Sequence, residues 1–85
     1  MSATMSVSDL AKVLFATTLQ ASADPSPDQV RAAIERRLRA CRGDHADCAC
    51  YVAQEAGDHP ETYARRMRWA LQAVVKAYPA LIAAA

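Results

Sequence analysis

Cys41, His45, Cys48 and Cys50 place three thiols and an imidazole within a ten-residue stretch. Thiolate and imidazole are donors that suit zinc. The spacing, C-x3-H-x2-C-x-C, is that of no common zinc finger or ribbon. If Cys48 and Cys50 lie on one helix, their side chains diverge by about 200°. The leading expectation is that these cysteines pack as small apolar residues. A metal site built from Cys41, His45, Cys48 and Cys50 is the alternative. Three cysteines are an odd number and do not all pair within one chain, so a reducing cytoplasm is the simpler compartment. Elsewhere, His59 stands beside Asp58 and close to Glu61, but a helix start accounts for all three, because acids suit the positive end of a helix. There is no phosphate-binding loop, nucleophile elbow or paired-carboxylate pattern. The chain is expected not to be an enzyme, and its sequence calls for no cofactor, no metal and no small-molecule substrate.

The second group with chemistry to offer surrounds Trp69. Arg65, Arg68, Gln72 and Lys76 are its neighbours in sequence and helical spacing. Trp69 lies about 200° around a helix from both Met67 and Leu71, which puts it off the apolar stripe of that segment. A large aromatic flanked by cations on a polar face has the composition of a contact hot spot. Arg65, Arg68, Trp69, Gln72 and Lys76 are therefore the expected surface for a protein partner or a second copy of the chain; the alternative is that the N-terminal helix or the Leu81-Ile82 tail covers Trp69.

Four helices are expected to position these groups, over residues of about 8–20, 26–42, 44–56 and 59–78, followed by a short apolar tail over 80–85. Ser6 or Ser8 caps the first, and Leu10 and Leu14 give it an inward stripe. Ser26, Pro27 and Gln29 form a capping-box start for the second. Its Val30, Ile34, Leu38 and Cys41 cover an arc of about 80°. Gly43 is expected to end it. Asp44 opens the third, Ala49, Val52, Ala53 and Ala56 form its packing face, and Gly57 is expected to take a left-handed terminating conformation. Pro60 and Glu61 open the fourth, and Tyr63, Met67, Ala70, Leu71, Val74 and Tyr78 make its stripe. No strand alternation or hairpin signal occurs.

The totals agree with a small helical domain. Eighty-five residues are one domain, 1–85, and a chain of this length stays marginally stable, so partners help. Hydrophobic content is 53%, much of it alanine, and only two glycines and four prolines interrupt it. Net charge is +1, so no global charge draws the chain to nucleic acid or acidic lipid. Locally, residues 31–42 carry Arg31, Arg36, Arg37, Arg39 and Arg42 against Glu35. Residues 43–61 hold acids without a cation, and residues 62–85 hold cations without an acid. The abundance of alanine, and of arginine over lysine, points to a GC-rich, bacterial type of genome. No apolar run approaches the ~20 residues of a membrane span. Val13 to Leu19, followed by Ala21-Ser22-Ala23, has the outline of a secretory leader. Thr17 and Thr18 interrupt it, and Asp9 opposes Lys12, so a cytoplasmic location is expected.

The order Val52-Ala53-x-x-Ala56-Gly57, then Pro60-x-Thr62, then Arg65, resembles the helix-turn-helix unit of lactose-repressor-type bacterial regulators. The match covers about sixteen residues, 52–67. A small Ala53 lets two helices approach, and a glycine suits the turn between them. The resemblance implies a second helix entering the major groove, with base-reading positions on Pro60, Glu61 and Arg65. It places Glu61, Thr62, Arg65 and Arg66 at the nucleic acid, with Arg65 bonding guanine. The family normally has an apolar residue after the glycine, where this chain has Asp58.

These readings combine into one expectation with two alternatives. The fold is all-α, a compact four-helix bundle-like or orthogonal helical domain. Its core is expected to hold Leu10, Leu14, Val30, Ile34, Leu38, Val52, Tyr63, Met67, Leu71 and Val74. The function is a small non-enzymatic interaction or regulatory module. The alternatives are a DNA-binding regulator using residues 52–69 and a metal-binding helical protein.

Overall fold

Two capping boxes start the first two long helices. In the computed structural model, which describes residues 5–41 and 46–83, Ser6 caps α1 (Val7–Phe15) and Ser26 caps α2 (Pro27–Ala40). The Asp9 amide donates to Ser6 Oγ at 3.1 Å, and the Asp9 carboxylate accepts from the Ser6 amide at 3.2 Å. Gln29 and Ser26 exchange the same pair of bonds at 3.2 and 2.7 Å. Each box satisfies amide donors that a helix start leaves without intrahelical partners. The chain continues as α3 (Ala46–Asp58), α4 (Pro60–Ala77) and a short α5 (Pro79–Ala83), with one turn of 3₁₀ helix at Ala21–Ala23 between α1 and α2. The described residues contain no strand, and no helix among them is long and apolar enough to cross a membrane.

α1 is the central element. Leu10, Ala11, Val13, Leu14 and Phe15 are all buried, so this helix hides most of its circumference and not a single stripe. It packs against α2, α3 and most extensively α4. The largest fully buried side chains, Leu14, Ile34, Val13, Val30 and Val74, each contribute about 1.5–3 kcal/mol of transfer free energy. Ala33, Ala70 and Ala77 complete the seams between helices with small side chains, and Cys48 fills a fully enclosed place.

Several boundaries differ from expectation. α1 stops at Phe15, not near Gln20, because the backbone tightens there: the Thr17 amide and hydroxyl both donate to the Leu14 carbonyl, at 3.0 and 2.7 Å. Gly57 is not a left-handed terminator. It lies inside α3, and a Cβ built on it meets nothing within 4 Å. α3 runs on to Asp58, and His59 alone separates it from α4. The His59 amide donates to Glu55 and the His59 carbonyl accepts from Tyr63, both at 2.8 Å. The helices therefore join almost without a loop. Residues 42–45, which include Gly43 and Asp44, lie outside the described residues. Pro79 ends α4 as expected but opens α5, and Leu81 packs on the core.

The core list also needs correcting. Leu10, Leu14, Val30, Ile34, Val52 and Val74 are buried as expected. Leu38, Tyr63 and Met67 are half-buried, Ala53 is exposed, and Leu71 is 37% exposed. The buried line of α4 runs through Ala70, Val74 and Ala77, turned by about 40° from the expected stripe. The large residues of that stripe do not set the seam. Alanines do, because they let α1 lie close along α4, and Arg66 must reach the end of α1.

Candidate functional site

The end of α1 leaves carbonyl oxygens without helical partners. Arg66, one and a half turns into α4, takes them. Its Nε donates to the Phe15 carbonyl at 3.0 Å, one terminal nitrogen to Leu19 at 2.9 Å, and the other to Thr17 at 2.9 Å and Leu14 at 3.5 Å. The guanidinium also lies over Phe15, 5.4 Å from the ring centre, and over Trp69, 5.0 Å away. A planar, five-donor cation fits this task, and it sits at the negative end of the helix dipole. Burial holds its proton less tightly than an ordinary arginine, with nearby Tyr51 acting in the opposite sense. Phe15 in turn packs against Tyr51 and Tyr63, with ring centres 6.0 and 5.8 Å away.

A second arginine does similar work at the other end of α4. Arg31 of α2 donates to the Ala77 carbonyl at 2.7 Å and pairs with Asp28. Two helix C-termini are thus closed by arginines reaching across from other helices.

With Arg66 turned inward, the opposite face of α4 is open. Arg65, Arg68, Gln72 and Lys76 are exposed along it. Beside them stand Leu71 and Val75, 37% and 41% exposed, four residues apart and so adjacent on the helix. Trp69 does not face outward as expected. It is half-buried, packs against the core beneath Arg66, and borders a cleft of about 80 Å³ with Pro25, Pro27 and Val30. The same turn of α4 that brings Leu71 out carries Trp69 in.

The chain matches no protein-family model, no curated protein and no solved structure.

The expected docking residues thus divide. Arg65, Arg68, Gln72 and Lys76 share one exposed face, while Trp69 forms its margin. Leu71, assigned to the core from the sequence, belongs to the surface instead, and Val75 went unassigned. Their four-residue spacing on a helix carried the signal, but it is also the spacing of a buried seam. Of the residues implied by the helix-turn-helix resemblance, Glu61, Thr62 and Arg65 are exposed near the start of α4. Arg66 is not available to a ligand there, because it is committed to the carbonyls of α1.

The cysteines divide as well. Cys48 is fully buried, Cys50 is exposed, and Cys41 is half-buried, as expected from the roughly 200° between Cys48 and Cys50 on a helix. Cys41 packs against the core cluster that holds Cys48, whereas Cys50 is exposed. Burial and then the neighbouring Cys48 push the Cys41 thiol above the usual cysteine range, with Arg37 acting in the opposite sense. Arg37 Nε is buried and has no partner among the described residues. No group of three or more His, Cys, Asp and Glu side chains is placed to hold a metal among the described residues, and His45 lies outside them. Cys48 is enclosed and Cys50 exposed, so these two thiols do not face one centre.

Proposed function

We propose that this chain is a small non-enzymatic interaction module whose outer α4 face binds an acidic protein surface, on a partner or on a second copy. One observation carries this reading: Leu71 and Val75 are partly exposed, side by side, beside a row of cations in a stretch, residues 62–77, that holds no acid. A pair of exposed aliphatic side chains provides the water-excluding centre of a contact, and Arg65, Arg68 and Lys76 provide its charged rim. The rim favours an acidic partner and speeds encounter with it. The chain itself offers such a surface, because exposed Asp47 and Asp58 lie on α3, whose residues 46–58 include no lysine or arginine. A cytoplasmic setting suits the three free thiols.

The test has two arms. Sedimentation across a concentration series, at low and high salt, reads self-association. Titration with a synthetic acidic amphipathic helix, followed by Trp69 fluorescence, reads partner binding. The reading expects association in at least one arm, weaker at high salt and lost in the Leu71→Gln, Val75→Gln variant. Flat responses in both arms would remove it. A salt-sensitive shift of duplex DNA, weakened by Arg65→Ala, would put the helix-turn-helix reading in its place. The protein reading is preferred because the apolar pair is of no use against phosphates, and because Arg66 is already spent.

A further inference from the structure

The turn that follows α1 and one face of α2 leave a cleft of about 270 Å³ between them. Ala33, Arg36, Arg37 and Ala40 line it from α2, at spacings of three and four residues that put them on one side of that helix. Residues 16–19 line it from the other side, where Ala16 and Leu19 supply apolar surface. No carboxylate lies among the lining residues. The wall made by residues 16–19 is fixed by its own bonds. The Leu19 amide donates to Thr17 Oγ1 at 3.3 Å, and Arg66 donates to the Thr17 and Leu19 carbonyls, both at 2.9 Å.

The two arginines of this cleft differ from those elsewhere in the fold. Arg31 and Arg66 are committed to helix carbonyls, and Arg31 is also paired with Asp28. Neither Arg36 nor Arg37 makes an ion pair among the described residues. Arg36 is exposed and Arg37 half-buried, and Arg37 Nε is enclosed without a hydrogen-bond partner. An enclosed donor of a charged group costs free energy when it has no acceptor, and an oxyanion beside the guanidinium offsets part of that cost. We infer that the cleft binds a small amphiphilic anion, a carboxylate on a short aliphatic chain. Arg36 and Arg37 hold the carboxylate, and the chain lies against Ala16, Leu19, Ala33 and Ala40.

The lining sets the class of ligand. A guanidinium is a planar fork that matches a carboxylate, and two of them on one helix face repel each other until an anion arrives. The alanines keep the cleft open, because larger side chains at Ala33 and Ala40 would fill it. Its volume falls just below the range of about 300–1,000 Å³ usual for ligand pockets, which selects a small molecule. A wall already held by Thr17 and Arg66 has little left to order on binding. An inorganic anion would use the arginines and leave the apolar wall wet. A neutral alcohol would cover that wall and leave the cations without a partner. The cleft shares no lining residue with the outer face of α4, so this site stands or falls apart from the protein-binding reading.

The experiment titrates the full, isotopically labelled chain with sodium hexanoate, and separately with hexan-1-ol and with inorganic phosphate, at constant ionic strength. Amide chemical shifts are the readout. The result expected with hexanoate is saturable shifts centred on residues 16–19 and 33–40, at an affinity about tenfold or more above that of either control. Arg36→Gln, at an exposed position, should weaken hexanoate by about tenfold. Ala40→Phe, also at an exposed position, fills the cleft, keeps both arginines and should abolish the saturable shifts. Hexan-1-ol binding as tightly as hexanoate would overturn the inference, since the site would then read carbon alone. Phosphate binding as tightly would overturn it too, since the site would then read charge alone. Shifts centred on Leu71 and Val75 in place of the cleft, or no saturable shift, would equally overturn it.

Discussion

Arg66 carries the largest single structural duty in the chain. Four carbonyl oxygens from the end of α1 converge on one guanidinium, and two aromatic rings enclose it. Arg66→Ala removes this donor from the Phe15, Thr17 and Leu19 carbonyls and opens a gap beside Phe15 and Trp69. Urea unfolding should show a loss of about 2–4 kcal/mol, and Arg66→Lys should recover only part of it, because a point charge cannot replace a planar fork. An unchanged midpoint in Arg66→Ala would mean that the side chain points elsewhere. At the other arginine-closed end, Tyr78 follows Ala77, and burial and then Glu35 push its hydroxyl above the usual tyrosine range, against Arg31. A raised folded-state value makes the associated stability full below the unfolded value, about 10, and lost as the pH rises through the folded one. Melting should therefore fall in alkaline solution above about pH 10, and less steeply in Tyr78→Phe.

The helices themselves were largely legible, because the signals that start them are local. Ser26, Pro27 and Gln29 announce α2 to within a residue, and the pair of bonds they imply is present. Ser26→Ala should cost about 0.5–2 kcal/mol in urea unfolding. The ends and faces were less legible. The glycine of the α3–α4 corner gives the clearest case: Gly57 reads as a terminator, yet Tyr63, Glu55 and their partners at His59 continue helical bonding through it. Gly57→Ala should therefore stabilise the protein by about 0.4–1 kcal/mol, whereas a residue held at positive φ would lose stability on the same change. Equally hidden was the rotation of α4. Its stripe of Met67, Leu71 and Val74 is a sound apolar face by spacing alone. The actual seam depends on Arg66 reaching carbonyls 47 to 52 residues away. A contact over that distance leaves no mark in local periodicity.

For the whole molecule, that rotation separates the packed side of α4 from the side proposed to bind. The inward side of α4 holds α1 in place through Ala70, Val74, Ala77 and Arg66, and the outward side is partly open. Leu71 and Val75 on the outward side are 37% and 41% exposed, so the apolar pair is available at small cost to the fold. The most direct measurement is the equilibrium unfolding of the Leu71→Gln, Val75→Gln variant. With both side chains facing solvent, the combined loss should be about 2 kcal/mol or less, and the far-ultraviolet helical signal should be unchanged. Two buried aliphatic residues would instead cost about 2–5 kcal/mol each, enough to unfold a marginal domain of this size. A variant that fails to fold would return Leu71 to the core and close the proposed binding face.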